Sequence, residues 1–423
     1  MLKPKKHVII LGAGASITSG YPDANKLTSL MCDFASFFKE FVACGIAEGV
    51  EKPDRWLQAS TVRQYYNSFK ETVSLLKRGD FATMDELSNM VAGGQNFDQI
   101  QKLKKLMRFV FALNNPEISH WPQSDYRAFI QALFLRKNLL RDDISVISFN
   151  YDPYFEYRLL RALKARIQVS PVSSEIERRM CRAAISGYQY PTDLEWTQSP
   201  GFCHLKLHGT CILPSRVETK INWPPQEGEP TDLISDRMFG FGIVPRFSCL
   251  SDSRFAAQHP PILLPWEIIS NDGKLLEQAE FESRVGSDWQ FKHFYPLFHA
   301  LWQRAKSEIQ EADKISFVGL SLSPFMEPEM RFLFGGKQNI VQMVIANPEN
   351  SRFKGYANPF HPNTFSGKFL DVFQNICPNM ACNRSDSEGG QTREGGHAYG
   401  NSRRDLSEVT VRTDFADFIR NEM

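Results

Sequence analysis

His7-Val-Ile-Ile-Leu-Gly-Ala-Gly-Ala-Ser-Ile-Thr-Ser-Gly-Tyr-Pro-Asp23 is the stretch on which the fold turns. Val8, Ile9, Ile10 and Leu11 are a short β-branched and apolar run, of the kind buried in a parallel sheet. The run stops at Gly12-Ala13-Gly14, where small residues let a ligand approach the backbone. The residues after Asp23 read as a helix from about Ala24 to Val42. Backbone N–H groups of the turn and the helix N-terminus could then face an anion such as a dinucleotide pyrophosphate. Gly-x-Gly alone is a weak signal, because Ile17 stands where a third glycine is usual.

Further along, Ile144–Phe149, Cys203–Leu207, Ile315–Leu320 and Ile340–Ala346 are similar buried-strand runs, and Val409–Thr413 reads as a last strand. Helical spacing falls between them at about Tyr154–Lys164 and Lys292–Ala312, and in the segment carrying Glu329, Met330, Leu333 and Phe334. The alternation predicts an α/β fold with a doubly wound, Rossmann-like parallel sheet. The expected organisation is one domain over 1–423 with two insertions. A helical annex occupies 45–140, with helices at Val62–Lys77, Asp98–Leu113 and Asp125–Leu140. A loop-rich insertion covers 211–288, within a stretch from Pro171 onward whose regularity is weak, and carries a candidate hinge at Gly240-Phe-Gly242. Residues 383–404, rich in Ser, Gly and charge, read as a flexible segment.

Composition narrows the function. With 49 Lys and Arg against 48 Asp and Glu, no bulk charge favours nucleic acid or an acidic membrane. The cluster Lys102, Lys104, Lys105 and Arg108 reads as a solvated face, and so do Arg158 and Arg161. No run is apolar enough to span a bilayer, and no secretory leader precedes the first strand. Eight scattered cysteines without a Cys-x-x-Cys pair point to reduced thiols in a cytoplasm rather than a zinc ribbon.

Four strand ends finish in unusual groups: Gly12–Ser16, Asn150–Asp152, His208–Gly209 and Gly319–Ser323. In an open α/β sheet, ligands bind beyond the carboxyl ends of the strands. Singly, each group has a plainer reading, since Asn and Asp after a strand are common turn formers.

Together these residues resemble the sirtuin-like family. Gly14-Ala-Ser16, Ser19-Gly20 and Pro22-Asp23 are similar to its opening motif, and Ser148-Phe-Asn150-Tyr-Asp152 to its Thr-Gln-Asn-Ile-Asp element. Leu205-Lys-Leu-His208-Gly209 resembles the segment carrying its catalytic histidine. Gly319-Leu-Ser321-Leu-Ser323 resembles the segment around the adenosine of NAD⁺, and Asn347 the asparagine at the adenine ribose. The paired zinc cysteines of the deacylases are missing after His208, Phe149 replaces the motif's glutamine, and Ala24-Asn25 replace its Phe-Arg. What remains is similar to the zinc-less NAD⁺ hydrolases of bacterial antiphage defence.

The resemblance implies an NAD⁺ glycohydrolase with NAD⁺ as substrate and no zinc. It implies catalytic roles for His208 (general base), Asn150 (holding ribose and water) and Asp152 (taking the nicotinamide carboxamide). NAD⁺ would contact Gly12, Ala13, Gly14, Ser16, Asp23, Gly319, Ser321 and Asn347. A homo-oligomer is implied, as is a HerA-like ATPase or Argonaute-like partner. The alternatives are an NAD⁺- or ADP-ribose-sensing subunit of a defence complex and a zinc-less deacylase or ADP-ribosyltransferase.

Overall fold

The structure is a computed structural model. It describes residues 6–33, 70–77, 97–113, 124–135, 139–169, 172–186, 194–198, 200–210, 262–285, 289–322, 324–337, 340, 342–348, 364–376, 382–383, 407–412 and 414–423.

The strands are β1 (His7–Leu11), β2 (Ile144–Ser148), β3 (Cys203–Lys206), β4 (Lys314–Val318), β5 (Gln342–Ala346), β6 (Cys382–Asn383) and β7 (Ser407–Arg412). They form one sheet in the order β3-β2-β1-β4-β5-β7-β6, parallel at every pairing. From β1 the chain proceeds outward through β2 and β3, then returns to β1's other edge at β4. That reversal is the position at which such sheets open a crevice.

The helices are α1 (Ala24–Cys32), α2 (Phe97–Leu113), α3 (Asp125–Ala132), α4 (Tyr154–Val169), α5 (Ser174–Ala184), α6 (Gln278–Val285), α7 (Trp289–Glu311), α8 (Glu327–Phe334), α9 (Phe365–Ile376) and α10 (Phe415–Glu422). A further helical stretch covers 70–77. Side chains alternate across β1, so Ile9 and Leu11 enter one apolar cluster while Val8 and Ile10 enter another. The first cluster packs α1 to α5 and α10 on one face, and the second packs α6 to α9 on the other. Burial on both faces is why the strands read as continuous apolar runs rather than alternating ones.

The strand ends are level. Leu11 pairs with Ser148 and Val318, Ser148 with Lys206, and Val318 with Ala346. One more bond extends each ladder: Leu207 N–H to Ser148 O, Phe149 N–H to Leu11 O, Gly12 N–H to Val318 O and Gly319 N–H to Ala346 O. Gly12, Phe149, Leu207, Gly319 and Asn347 therefore leave the sheet along one line.

Several sequence expectations are corrected. The helix expected over Asp125–Leu140 ends at Ala132, and Phe134 pairs antiparallel with Leu140. Its apolar doublets suit a chain reversal as well as a helix. Lys104 is not solvated. Ile100, Lys104, Met107 and Phe111 form one buried stripe of α2, and Lys104 pairs with Glu267 at 2.6 Å where neither side chain meets water. Arg158 is also buried, its guanidinium 4.9 Å from the Tyr154 ring centre one turn away, whereas Arg161 is exposed. The irregular stretch expected from Pro171 contains the eleven-residue α5, capped by Ser173, whose side chain accepts from Ile176 N–H.

The expected helix at Tyr154–Lys164 runs on to Val169. The helix expected from Ala24 is α1, ending at Cys32; its proposed continuation over 34–42 lies outside the described residues. So do 62–69, the Gly240-Phe-Gly242 hinge within 211–261, and the proposed flexible segment from 384 to 404.

Candidate functional site

The turn after β1 is built on glycine, for a reason the sequence did not disclose. A Cβ on Gly12 would lie 2.5 Å from the Leu320 Cα, and one on Gly14 would lie 2.8 Å from the Gly319 Cα. Gly319 has φ of +63° and its own added Cβ would meet Ala15 N at 2.1 Å. The glycines thus let the β1 and β4 turns interlock. The N–H groups of Gly12, Gly14 and Ala15 bond to the carbonyls of Val318, Gly319 and Gly12, so these three do not face a pyrophosphate. Ala13 opens a 3-10 turn, Ala13–Ser19, closed by Gly20 at φ of +85°. Asp23 caps α1, its carboxylate accepting from Lys26 N–H at 2.7 Å. Ser321 is exposed, and Asn347 is buried just beyond β5.

Three predicted residues do meet. Ser16, carried inward by the 3-10 turn, is fully buried. Its Oγ lies 2.9 Å from Asp152 Oδ2, 3.1 Å from Asn150 Nδ2 and 3.1 Å from the Tyr126 hydroxyl. A hydroxyl has one proton and two lone pairs. With Asp152 ionised, Ser16 donates to that carboxylate and accepts from Asn150 and Tyr126, which uses all three. The same count fixes the Asn150 amide with Nδ2 toward Ser16. Its Oδ1 is then a buried acceptor with no hydrogen-bond partner.

Asp152 Oδ1 accepts from Tyr154 N–H at 3.1 Å, at the start of α4. Both of its oxygens are thus held by the protein. Burial pushes its carboxyl up, opposed by the Lys206 ammonium. Lys206 itself is fully buried, donating to the Asp152 carbonyl and pairing with Glu156 Oε1 at 2.7 Å. Burial likewise raises the Glu156 carboxyl and lifts the Tyr126 phenol well above its usual range. Tyr126 therefore stays a donor.

His208 stands across from this group. The β2–β3 pairing ends with Ser148 opposite Lys206, so Asn150 and His208 each lie two residues past the paired ends of adjacent strands. The rings of Phe149 and Tyr151, on either side of Asn150, pack on the imidazole at 5.0 and 5.6 Å between centres. His208 Nε2 lies 2.8 Å from Glu329 Oε1 of α8, and both residues are buried. The His208 carbonyl accepts from Leu263 N–H, and Gly209 bridges antiparallel to Ile262, so the segment that begins at Ile262 is bound to the histidine's own backbone.

The predicted constellation is thus two clusters, Ser16–Asn150–Asp152 and His208–Glu329. Tyr126, Lys206, Glu156 and Glu329 were not assigned from sequence. A lysine between Leu205 and Leu207 in a buried strand, and a glutamate on the apolar stripe of α8, are the signals that could have marked two of them.

No family model matches the chain, and no curated protein matches it. Among the described residues, no three His, Cys, Asp or Glu side chains gather as a metal site, and no helix is long and apolar enough to cross a membrane. Cys211 lies outside those residues.

Proposed function

We propose that the chain is an NAD⁺ glycohydrolase, releasing nicotinamide and ADP-ribose. The observation that carries the reading is the unpartnered Asn150 Oδ1 at the carboxyl edge of the sheet, beside the reversal of strand order, on the residue whose sequence neighbours Phe149 and Tyr151 pack their rings on His208. A buried acceptor without a donor costs about 1–3 kcal/mol, which a hydroxyl-bearing ligand would offset. A ribose supplies such donors, and so does the attacking water.

The chemistry needs little more. As the C1′–N bond breaks, its electron pair neutralises the pyridinium and the ribose passes through an oxocarbenium-like state. Water adds to that carbon and loses a proton to His208, whose ordinary pKa suits a base near neutrality. Asn150 holds a ribose hydroxyl or the water, with Ser16 fixing its amide. Asp152 contributes negative charge near the cationic centre, its oxygens bound to Ser16 and Tyr154 N–H rather than turned to the carboxamide.

Resemblance to the zinc-less defence hydrolases supports a role in depleting NAD⁺ on infection, with activity raised by self-assembly or by a translocase-like or Argonaute-like partner. The test is nicotinamide release from NAD⁺ by the full chain, across protein concentration and with the product of the neighbouring gene. Release that requires Asn150 is the expected result. Tight NAD⁺ binding without turnover under all these conditions would overturn hydrolysis in favour of a sensor.

A further inference from the structure

We infer that Glu329 is the positioning residue for His208, holding the imidazole in the tautomer protonated at Nε2 so that Nδ1 is the ring atom that takes the proton of the attacking water. The inference rests on the NAD⁺ hydrolase reading for its last clause only. The first clause stands on geometry: Nε2 and Oε1 lie 2.8 Å apart, with both side chains withdrawn from solvent.

With Glu329 ionised, its carboxylate can only accept, and the Nε2 proton then points at it. A neutral imidazole has one such proton, and its lone pair is then on Nδ1. The ring cannot readily turn over to exchange the two nitrogens. Tyr151 stacks on it with planes 26° apart, Phe149 meets it edge-on at 74°, and Trp302 approaches at 6.4 Å between centres. The backbone beneath is pinned through the Leu263 N–H bond.

Glu329 is equally constrained. It lies in the first turn of α8, and its flanks Met330 and Leu333 are fully buried in the second apolar cluster. The turn that leads from β4 toward α8 contains Gly319, which interlocks with Gly12 and Gly14. One carboxylate therefore links the β3 end to the β4 side of the crevice. A group that orients a catalytic base from behind sets its tautomer without touching substrate, and loss of the right tautomer can cost about 10⁴ in turnover.

The experiment compares the full-length wild type with Glu329→Gln and Glu329→Asp, using two readouts. Long-range ¹⁵N–¹H spectra of histidine-labelled protein report the tautomer, with His208 assigned from the signal missing in His208→Gln. Nicotinamide release gives kcat and KM. The wild type should show Nε2–H. Glu329→Gln, whose amide can face the ring as donor or acceptor, should mix the tautomers and lower kcat on the order of 10²-fold with KM unchanged. Glu329→Asp, shorter by one methylene but still charged, should restore Nε2–H and recover roughly tenfold of the loss.

An Nδ1–H signal in the wild type would overturn the inference. So would unchanged kcat in Glu329→Gln, or a loss of kcat with the tautomer intact. If Glu329→Gln does not fold, the wild-type spectrum and Glu329→Asp still decide. If the wild type releases no nicotinamide, the hydrolase reading falls alone and the spectra judge the tautomer.

Discussion

At the amino end of the sheet, Glu308 receives the Ser145 hydroxyl, pairs with Lys6 at 2.7 Å and with Arg304 at 2.5 Å, and so occupies both of its oxygens. His7 there bonds Ser316 Oγ at 2.8 Å. At the carboxyl end, Ser16, Asn150, Asp152 and Tyr126 are as deeply buried, yet one acceptor has no donor. The two ends share a sheet, and Glu308 is as buried as the groups at the carboxyl end. They differ in what the buried acceptors meet: both Glu308 oxygens face a cation, one of them the Ser145 hydroxyl as well, whereas Asn150 Oδ1 has no donor. Acceptors met by cations and a hydroxyl act on stability, and a buried acceptor without a donor calls for its own explanation.

Substitution can break this comparison, and the largest effect belongs to the carboxyl end. His208→Ala should reduce nicotinamide release on the order of 10³-fold or more, while NAD⁺ binding measured by calorimetry stays near wild type, because the base acts in the chemical step. Wild-type turnover would remove His208 from the reaction. Asn150→Ala should lose turnover on the order of 10²-fold. Its stability to denaturant should change little, since the variant loses the bond to Ser16 and also the unsatisfied acceptor. A large loss of stability with activity kept would make Asn150 as structural as Glu308.

The amino end should behave in the opposite way. Glu308→Gln should cost about 2 kcal/mol by urea unfolding, because Lys6 and Arg304 lose the negative charge they face and one of the two acceptor oxygens becomes an amide donor. The figure is modest because Lys6 and Arg304 still reach water. The kcat of that variant should match wild type.

The smallest effect sharpens the contrast through pH. Burial, together with the charges of Lys314 and Arg141 and against that of Asp143, holds His7 down at about 3. Unfolded, it binds a proton below about 6.5. The folded state therefore carries fewer protons between these values. The stability His7 contributes is whole above about 6.5 and is lost as pH falls toward 3. His7→Gln should be about 1 kcal/mol less destabilised than wild type on moving from pH 6.5 to 5.5. Taking the difference between variants cancels Asp152, Glu156 and Glu267, whose raised carboxyls push the other way at acid pH. Equal slopes would show that His7 titrates in the folded protein as it does unfolded.

The sheet was legible because strands buried on both faces appear as uninterrupted apolar runs, and the strand ends because each run stops abruptly at Gly12, Asn150, His208 or Gly319. Ser16 and Asn150, 134 positions apart, were grouped from sequence as strand-end motifs of the resemblance; what brings them together is that β1 and β2 are neighbours and that the 3-10 turn carries Ser16 inward. The acid behind His208 did not. Glu329 is 121 residues away in the first turn of a helix, where an acidic residue already has a local reason to be. Lys104 was misjudged because a run of cations resembles a wet face; its register with Ile100, Met107 and Phe111 was the better guide. The α5 helix was missed because its polar residues hid the capping serine.

The antiparallel bridge between Gly209 and Ile262 has a consequence in polymer terms. The main chain on either side of residues 211–261 is tied together by that bridge and by the Leu263 N–H to His208 O bond. The entropy of closing such a loop grows only logarithmically, by about 0.6 kcal/mol for each doubling of its length. By that measure, changing the number of residues between Thr210 and Ile262 costs little closure entropy as long as the bonded ends are kept.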